Sequence, residues 1–181
     1  MQATADRQDT SAAAAAHTTA LRTVQLPAIG THWPEQGGVF AGILRGAPGQ
    51  PDAALIIPTA PQFELQGGWG EYDKDVPGAT SRTDSAANTS AMAAAGSTIA
   101  QQVLALRDDA GRADYAIPSQ AALQLAAANV PELFAQVWCW SSTQSARYNA
   151  VVQNFGFGYS GAGSKDFSYR VRAVRTIPLT T

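Results

Sequence analysis

The sequence predicts an α+β domain, and three observations carry that expectation. Strand-like runs lie near both ends of the chain, two helical patterns lie between them, and a long irregular segment separates the first strands from the helices. With that order the first and last strands can meet in one sheet. A length of 181 residues fits one domain with a sizeable core and an appendage.

The appendage is Met1 to Thr23, rich in Ala, Thr, Ser and Gln, with five alanines after Ser11 and almost no large apolar residue. Alanine favours helix, but such a segment has little to bury, so residues 1–23 read as a flexible or partner-ordered N-terminal arm and residues 24–181 as the domain. From Val24 the composition changes. Pro27, Gly30, Trp33, Pro34 and Gly37-Gly38 mark turns that lead into Val39-Phe40-Ala41-Gly42-Ile43-Leu44, a strand pattern. After a Gly/Pro-rich turn, Ala54-Leu55-Ile56-Ile57 reads as its hairpin partner, ended by Pro58.

Pro61 to Ser97 is long and irregular, the kind of segment held by local polar contacts or used for function. Ser97 then caps a helix with Ile99, Val103 and Leu106 on one face and Gly111 as a stop. A second helix starts at the N-cap Ser119, with Leu123, Ala127 and Val130 on one face, and Pro131 ends it. The last strands are Val151 to Phe155 and Tyr169 to Val174, with Gly156 opening a loop that reaches Lys165.

Composition excludes several functions. A net charge of -2 and a charged fraction of 14% leave no basic face for nucleic acid. Cys139 is the only cysteine, so neither an internal disulfide nor a cysteine-built metal site can form. No apolar run approaches a membrane span and no secretory pattern opens the chain, so a soluble protein made in a cytoplasm is expected.

Motifs that could carry chemistry mostly fail on context. Gly156-Phe157-Gly158-Tyr159-Ser160-Gly161 satisfies G-x-G-x-x-G, but a strand-like run follows where a dinucleotide site needs a helix. Gly158-Tyr159-Ser160-Gly161-Ala162 lacks the last glycine of a nucleophile elbow. His17 and His32 have no partner at zinc-ligand spacing and read as surface residues. Asp73, Asp75 and Asp84 do not fit a calcium loop and read as loop-capping carboxylates, while Asn88-Thr89-Ser90 reads as a turn whose side chains bond the backbone. No cofactor, metal or catalytic residue is expected.

The aromatic residues divide. Trp138 and Trp140 share one strand face and read as core, with Cys139 opposite them as an inert packing residue. Tyr148, Phe157 and Tyr159 lie near turns beside Asn149, Asn154 and Ser160, a mixture that suits binding loops. Arg170 and Arg172 alternate with apolar residues and read as partners of acidic loops or as side chains packed along their stems, with an anionic ligand as the alternative.

Five stretches occur in the order of a known pattern: Gly38-Val39-Phe40-Ala41-Gly42-Ile43, Asp84 with Asn88-Thr89, Tyr115-Ala116-Ile117-Pro118-Ser119, Trp140-Ser141-Ser142-Thr143, and Arg170 to Arg175. Together they resemble the DUF1566 family, whose members are similar to C-type lectin-like domains and occur in bacteriophage and prophage proteins. The resemblance covers Gly37 to Ile177 and implies a small twisted antiparallel sheet, two flanking helices and long loops. It also implies similarity to the variable proteins of diversity-generating retroelements, whose C-terminal region contacts ligand. Carried over residue by residue, the ligand-binding candidates are Gln144, Arg147, Tyr148, Asn149, Asn154, Phe157, Tyr159 and Lys165. The calcium-coordinating patterns of true C-type lectins are missing, so calcium-dependent sugar binding is not implied.

The sequence therefore leads to a non-enzymatic ligand-binding domain of a virion protein. Its expected partners are a host-surface protein or glycan, met through the C-terminal loops as in a tail-fibre receptor-binding role, and other virion proteins met through the arm. Homo-oligomer formation is left open. The alternative is a structural virion protein, a capsid decoration or tail component, whose loops make protein–protein contacts.

Overall fold

The computed structural model describes residues 25–179, so the expected arm over residues 1–23 lies outside the described residues. In chain order the strands are β1 (His32–Trp33), β2 (Gly38–Leu44), β3 (Ala53–Ile57) and β4 (Glu64–Gly68). The helices α1 (Ser85–Ala94), α2 (Thr98–Ala105) and α3 (Gln120–Asn129) follow. The chain then forms β5 (Trp138–Ala146), β6 (Asn149–Asn154), β7 (Ser160–Ser164), β8 (Ser168–Arg172) and β9 (Arg175–Pro178). The class is α+β, as the element order predicts.

Among the described residues two sheets form where the family resemblance implies one. The first has the order β1-β2-β3-β9, so the expected hairpin forms and the last strand joins the first ones. Gly42, at φ 127, sits at a bulge in β2. The extra residue resets the alternation: Val39 and Ala41 point into the core, Ile43 turns outward and Leu44 points in again. The second sheet has the order β4-β8-β5-β6-β7. All its pairs are antiparallel except β5 with β8, which run parallel and meet at a single pair, Cys139 with Arg170.

Among the described residues three α-helices stand where two are expected. α1 lies inside the segment that reads as irregular because its buried face is Ser85, Asn88, Thr89 and Met92, helical spacing written mostly in polar residues. Asp84 accepts from Ala87 N at 2.9 Å and caps it, so the reading of that carboxylate as a cap holds. Asn88 and Thr89 belong to the helix rather than a turn, yet their side chains do bond backbone. Asn88 accepts from Ser81 N at 3.0 Å and donates to Ser81 O at 2.7 Å, and Thr89 Oγ1 donates to Ser85 O at 2.7 Å. α2 starts after Ser97 as expected but ends at Ala105, before Gly111, and Ser97 Oγ donates to Trp69 O instead of capping the helix. α3 begins at its N-cap Ser119 as expected.

The cores lie on both sides of β5. Trp140 packs with Val152, Val171, Phe63, Tyr115 and residues of α1 and α2, whereas Cys139 packs with α3, Phe134, Phe155 and the inner faces of β2 and β3. Period-two alternation explains how two adjacent residues enter separate cores. A smaller cluster of Phe40, Ala54 and Ile56 backs the first sheet, covered by Trp33, Leu26, Ile177 and Leu179.

Candidate functional site

β7 is the unexpected element here. The stretch that reads as a loop from Gly156 to Lys165 contains a strand, Ser-Gly-Ala-Gly-Ser, paired with β6 from Gln153–Ser160 to Asn149–Ser164. Its glycines let aromatic rings lie against its backbone. A Cβ on Gly163 would come within 2.9 Å of Tyr169, 3.0 Å of Val152 and 3.1 Å of Trp140, and one on Gly161 would come within 2.7 Å of Tyr159. The sheet therefore curls at this edge around a chain of rings.

That chain of rings runs from the core to the surface. Trp140 is fully buried, its indole N–H donating to Gly67 O at 3.0 Å, and Tyr169 lies 4.7 Å from it. Trp138, half-buried, lies 6.1 Å from Tyr169 and edge-on to Tyr159 at 5.8 Å. Phe167 meets Tyr169 at 5.7 Å. Tyr159 and Phe167 are exposed, and Phe157, on the turn before Tyr159, is 88% exposed. Offset and edge-to-face pairs of this kind fix ring orientation as well as burying area.

Beside the rings, β5 and β8 share a single backbone pair, Cys139 with Arg170. A cleft of about 280 Å³ opens there, lined by Gln66, Val137, Trp138, Ser168, Tyr169 and Arg170. By the strand register Gln66, Ser168 and Arg170 line it from the face of Cys139, whereas the rings of Trp138 and Tyr169 belong to the opposite face. Burial, and then the Asp166 charge, raise the Tyr169 pKa, so its phenol stays protonated at neutral pH. Glu64 serves both arginines of β8, Arg172 at 2.6 Å and Arg170 at 3.7 Å, so the acidic partner comes from strand β4 rather than from the expected loops.

The eight sequence candidates are divided by the fold. Tyr159 stands at the aromatic strip, edge-on to Trp138, and Phe157 is exposed on the turn two residues before it. Arg147 and Tyr148 are exposed at the other end of β6, where Arg147 pairs with Asp73 at 2.5 Å and Tyr148 meets Tyr72 at 5.3 Å. A side-chain hydrogen bond to Asp73, and its charge, raise the Tyr148 pKa. Asn149, at the start of β6, is half-buried.

The other three face inward and correct the reading of them as contact residues. Asn154 is buried and accepts from Gly156 N and Phe157 N at 2.8 and 2.9 Å, fixing the turn that carries Phe157. Gln144 is buried, with Oε1 accepting from Val76 N at 2.9 Å and Nε2 donating to Asp75 at 2.5 Å. Lys165 is fully buried. Its ammonium donates to Gln144 Oε1 at 2.6 Å and Lys74 O at 2.7 Å and lies 4.6 Å from the Trp69 ring centroid. Burial lowers its pKa. These contacts clamp the segment from Trp69 to Val76 onto the sheet.

Sequence reasoning missed Gln66, Trp138, Phe167, Tyr169 and Arg170 as site residues. Trp138 and Trp140 do share a face, but only Trp140 is covered, because β5 begins at Trp138 and the sheet ends there. The alternation of Trp138 and Trp140 with Cys139, and of Tyr169 with Arg170, is the available signal. Burial pushes the Cys139 thiol up to about 12, with the Glu64 charge adding to it, so it stays protonated as the packing reading expects. Among the described residues no group of three or more His, Cys, Asp or Glu side chains is placed to hold a metal ion, and no helix is long and apolar enough to cross a membrane. No protein-family model matches the chain, and no curated protein matches it.

Proposed function

We propose that the chain is a non-enzymatic ligand-binding domain of C-type lectin-like kind from a bacteriophage or prophage virion protein, and that its aromatic cleft takes a host-surface glycan. One observation carries the reading: a continuous strip of rings, from buried Trp140 through Tyr169 and Trp138 to exposed Tyr159, borders a cleft lined by polar groups. A planar ring covers the C–H face of a sugar, and exposed Tyr159 offers such a ring with its own hydroxyl. Rings already locked against one another lose little freedom on binding. The α+β order, with first and last strands in one sheet, and the five motifs in sequence support the lectin-like and phage assignments.

The test is binding of the purified chain to host cells and to an immobilised glycan panel. Tyr159→Ala and Phe157→Ala are expected to weaken binding about tenfold or more, whereas Tyr148→Ala, at the other end of β6, is expected to leave it unchanged. Equal binding by all three variants rejects the aromatic cleft, and loss in Tyr148→Ala alone moves the site to the Tyr72–Tyr148 end. The second reading, a capsid decoration or tail component, draws on Phe157, which stands 88% exposed as a side chain awaiting a protein contact. Purified particles that lose the protein when Phe157 is replaced, with glycan binding absent, favour it.

A further inference from the structure

We propose that β7 is a self-pairing edge, through which the protein forms a two-fold dimer whose second sheet continues into that of a second copy. β7 ends the strand order β4-β8-β5-β6-β7, and among the described residues no strand pairs with its outer side. Its hydrogen-bonding phase is set by the bonds that flank it. Asn154 N donates to Tyr159 O at 2.7 Å, and Lys165 N donates to Tyr148 O at 3.0 Å. Bonded and non-bonded pairs alternate in an antiparallel ladder, so Gly161 and Gly163 bond inward to β6 as Tyr159 and Lys165 do. The N–H and C=O groups of Ser160, Ala162 and Ser164 therefore point away from β6.

Edge strands are commonly guarded by lysine, proline or a bulge. β7 has none of these: its register with β6 runs unbroken, and Ser-Gly-Ala-Gly-Ser carries no charge. The same five residues read alike in both directions about Ala162. A second β7 laid antiparallel on a two-fold axis through Ala162 sets Ala162 against Ala162 and Ser160 against Ser164, and every outward backbone group on both strands finds a partner. An axis at any other residue of β7 leaves some of them unpaired. Residues opposed in this way share a face, so the ring strips of both copies stand on the same side of the joined sheet. Phe157 and Phe167, both exposed, lie five residues to either side of Ala162, which brings Phe157 of one copy and Phe167 of the other to the same end of the junction. Burying an aromatic side chain removes about 150–250 Å², so these rings from both copies supply a large share of the roughly 1,000 Å² that a specific interface needs. An unguarded edge alone admits any extended segment; its symmetry about Ala162, repeated in the flanking phenylalanines, selects a second copy.

The experiment is sedimentation velocity on the full chain over a range of concentrations, beside Ala162→Pro and Ala162→Lys. Ala162 is exposed and its N–H faces away from β6, so both substitutions leave the ladder within one copy intact, which thermal melting checks. Wild type is expected to reach a dimer as concentration rises and both variants to stay monomeric, proline by removing the central donor and lysine by setting like charges face to face. Cysteines read the register, since the native Cys139 is buried and takes no part. Ala162→Cys is expected to form an intermolecular disulfide under mild oxidation, because opposed Cα atoms of a bonded pair lie about 5.5 Å apart. Ser164→Cys, about 13 Å from its counterpart in this register, is expected to form none. Should the Ala162→Pro or Ala162→Lys chain melt early, the cysteine pair decides. A full chain that stays monomeric, a dimer that survives both Ala162 variants, or Ser164→Cys cross-linking as readily as Ala162→Cys overturns the inference. Slow hydrogen exchange of the Ala162 amide in a monomer overturns it too, by showing the edge filled from within the same chain.

Discussion

Lys165 shows most clearly what a single residue does in this fold. Its ammonium joins the carbonyl of Lys74 to the amide of Gln144 under the Trp69 ring, with no carboxylate in direct contact among the described residues. Lys165→Met leaves both acceptors without this donor and is expected to cost about 2–4 kcal/mol of stability, read by urea unfolding. The pH dependence has a definite sign. Because burial lowers the folded pKa below the ordinary 10.5, the unfolded chain holds more protons in the window below that value, so folding gains stability as pH rises through it. Wild type should therefore gain on Lys165→Met as pH climbs toward 10.5; a constant gap rejects a charged, buried amine. The variant comparison is needed because the raised pKa values of Tyr115 and Cys139 act in the opposite direction. None of this was legible in the sequence, where Lys165 ends a glycine-rich stretch and looks solvated. Trp140 and Cys139 were legible, since alternation alone sends them to opposite faces.

Elements were readable where their buried faces are apolar and hidden where they are not. α2, α3 and the β2–β3 hairpin follow from spacing and caps, but α1 buries Ser85, Asn88 and Thr89, and the periodicity of hydrophobic residues cannot see a polar face. β7 was hidden for a different reason: Ser-Gly-Ala-Gly-Ser has little strand propensity, and only tertiary packing against β6 and the rings makes it a strand. The same packing makes it sensitive. Gly163→Ala would place a methyl 2.9 Å from Tyr169 and 3.1 Å from Trp140. It is expected to cost about 1–3 kcal/mol and to change the near-ultraviolet circular dichroism of the rings. An unchanged aromatic spectrum with full stability would show that the rings do not rest on the β7 backbone.

At the scale of the whole molecule, the last strand closes the fold begun by the first ones. β9 pairs with β3 from Ala53–Pro178 to Ile56–Arg175, and Arg175 forks onto Asp114 at 2.5 and 2.9 Å. Removing residues 175–181 strips the edge of the first sheet and frees Asp114, and the shortened chain is expected to lose its cooperative thermal transition. A transition within a few degrees of wild type would show that β9 is dispensable. The expectation that strands from the two ends share one sheet was sound at this scale. The division into two sheets was not foreseeable, because it depends on which strands pair over long separations. The parallel seam between β5 and β8 has a mechanical consequence. With one backbone pair between them, the two strands are joined mainly by side chains: Trp140 lies 4.7 Å from Tyr169 and its indole N–H reaches Gly67 O, so the rings couple the β4–β8 pair to the β5–β6–β7 ladder.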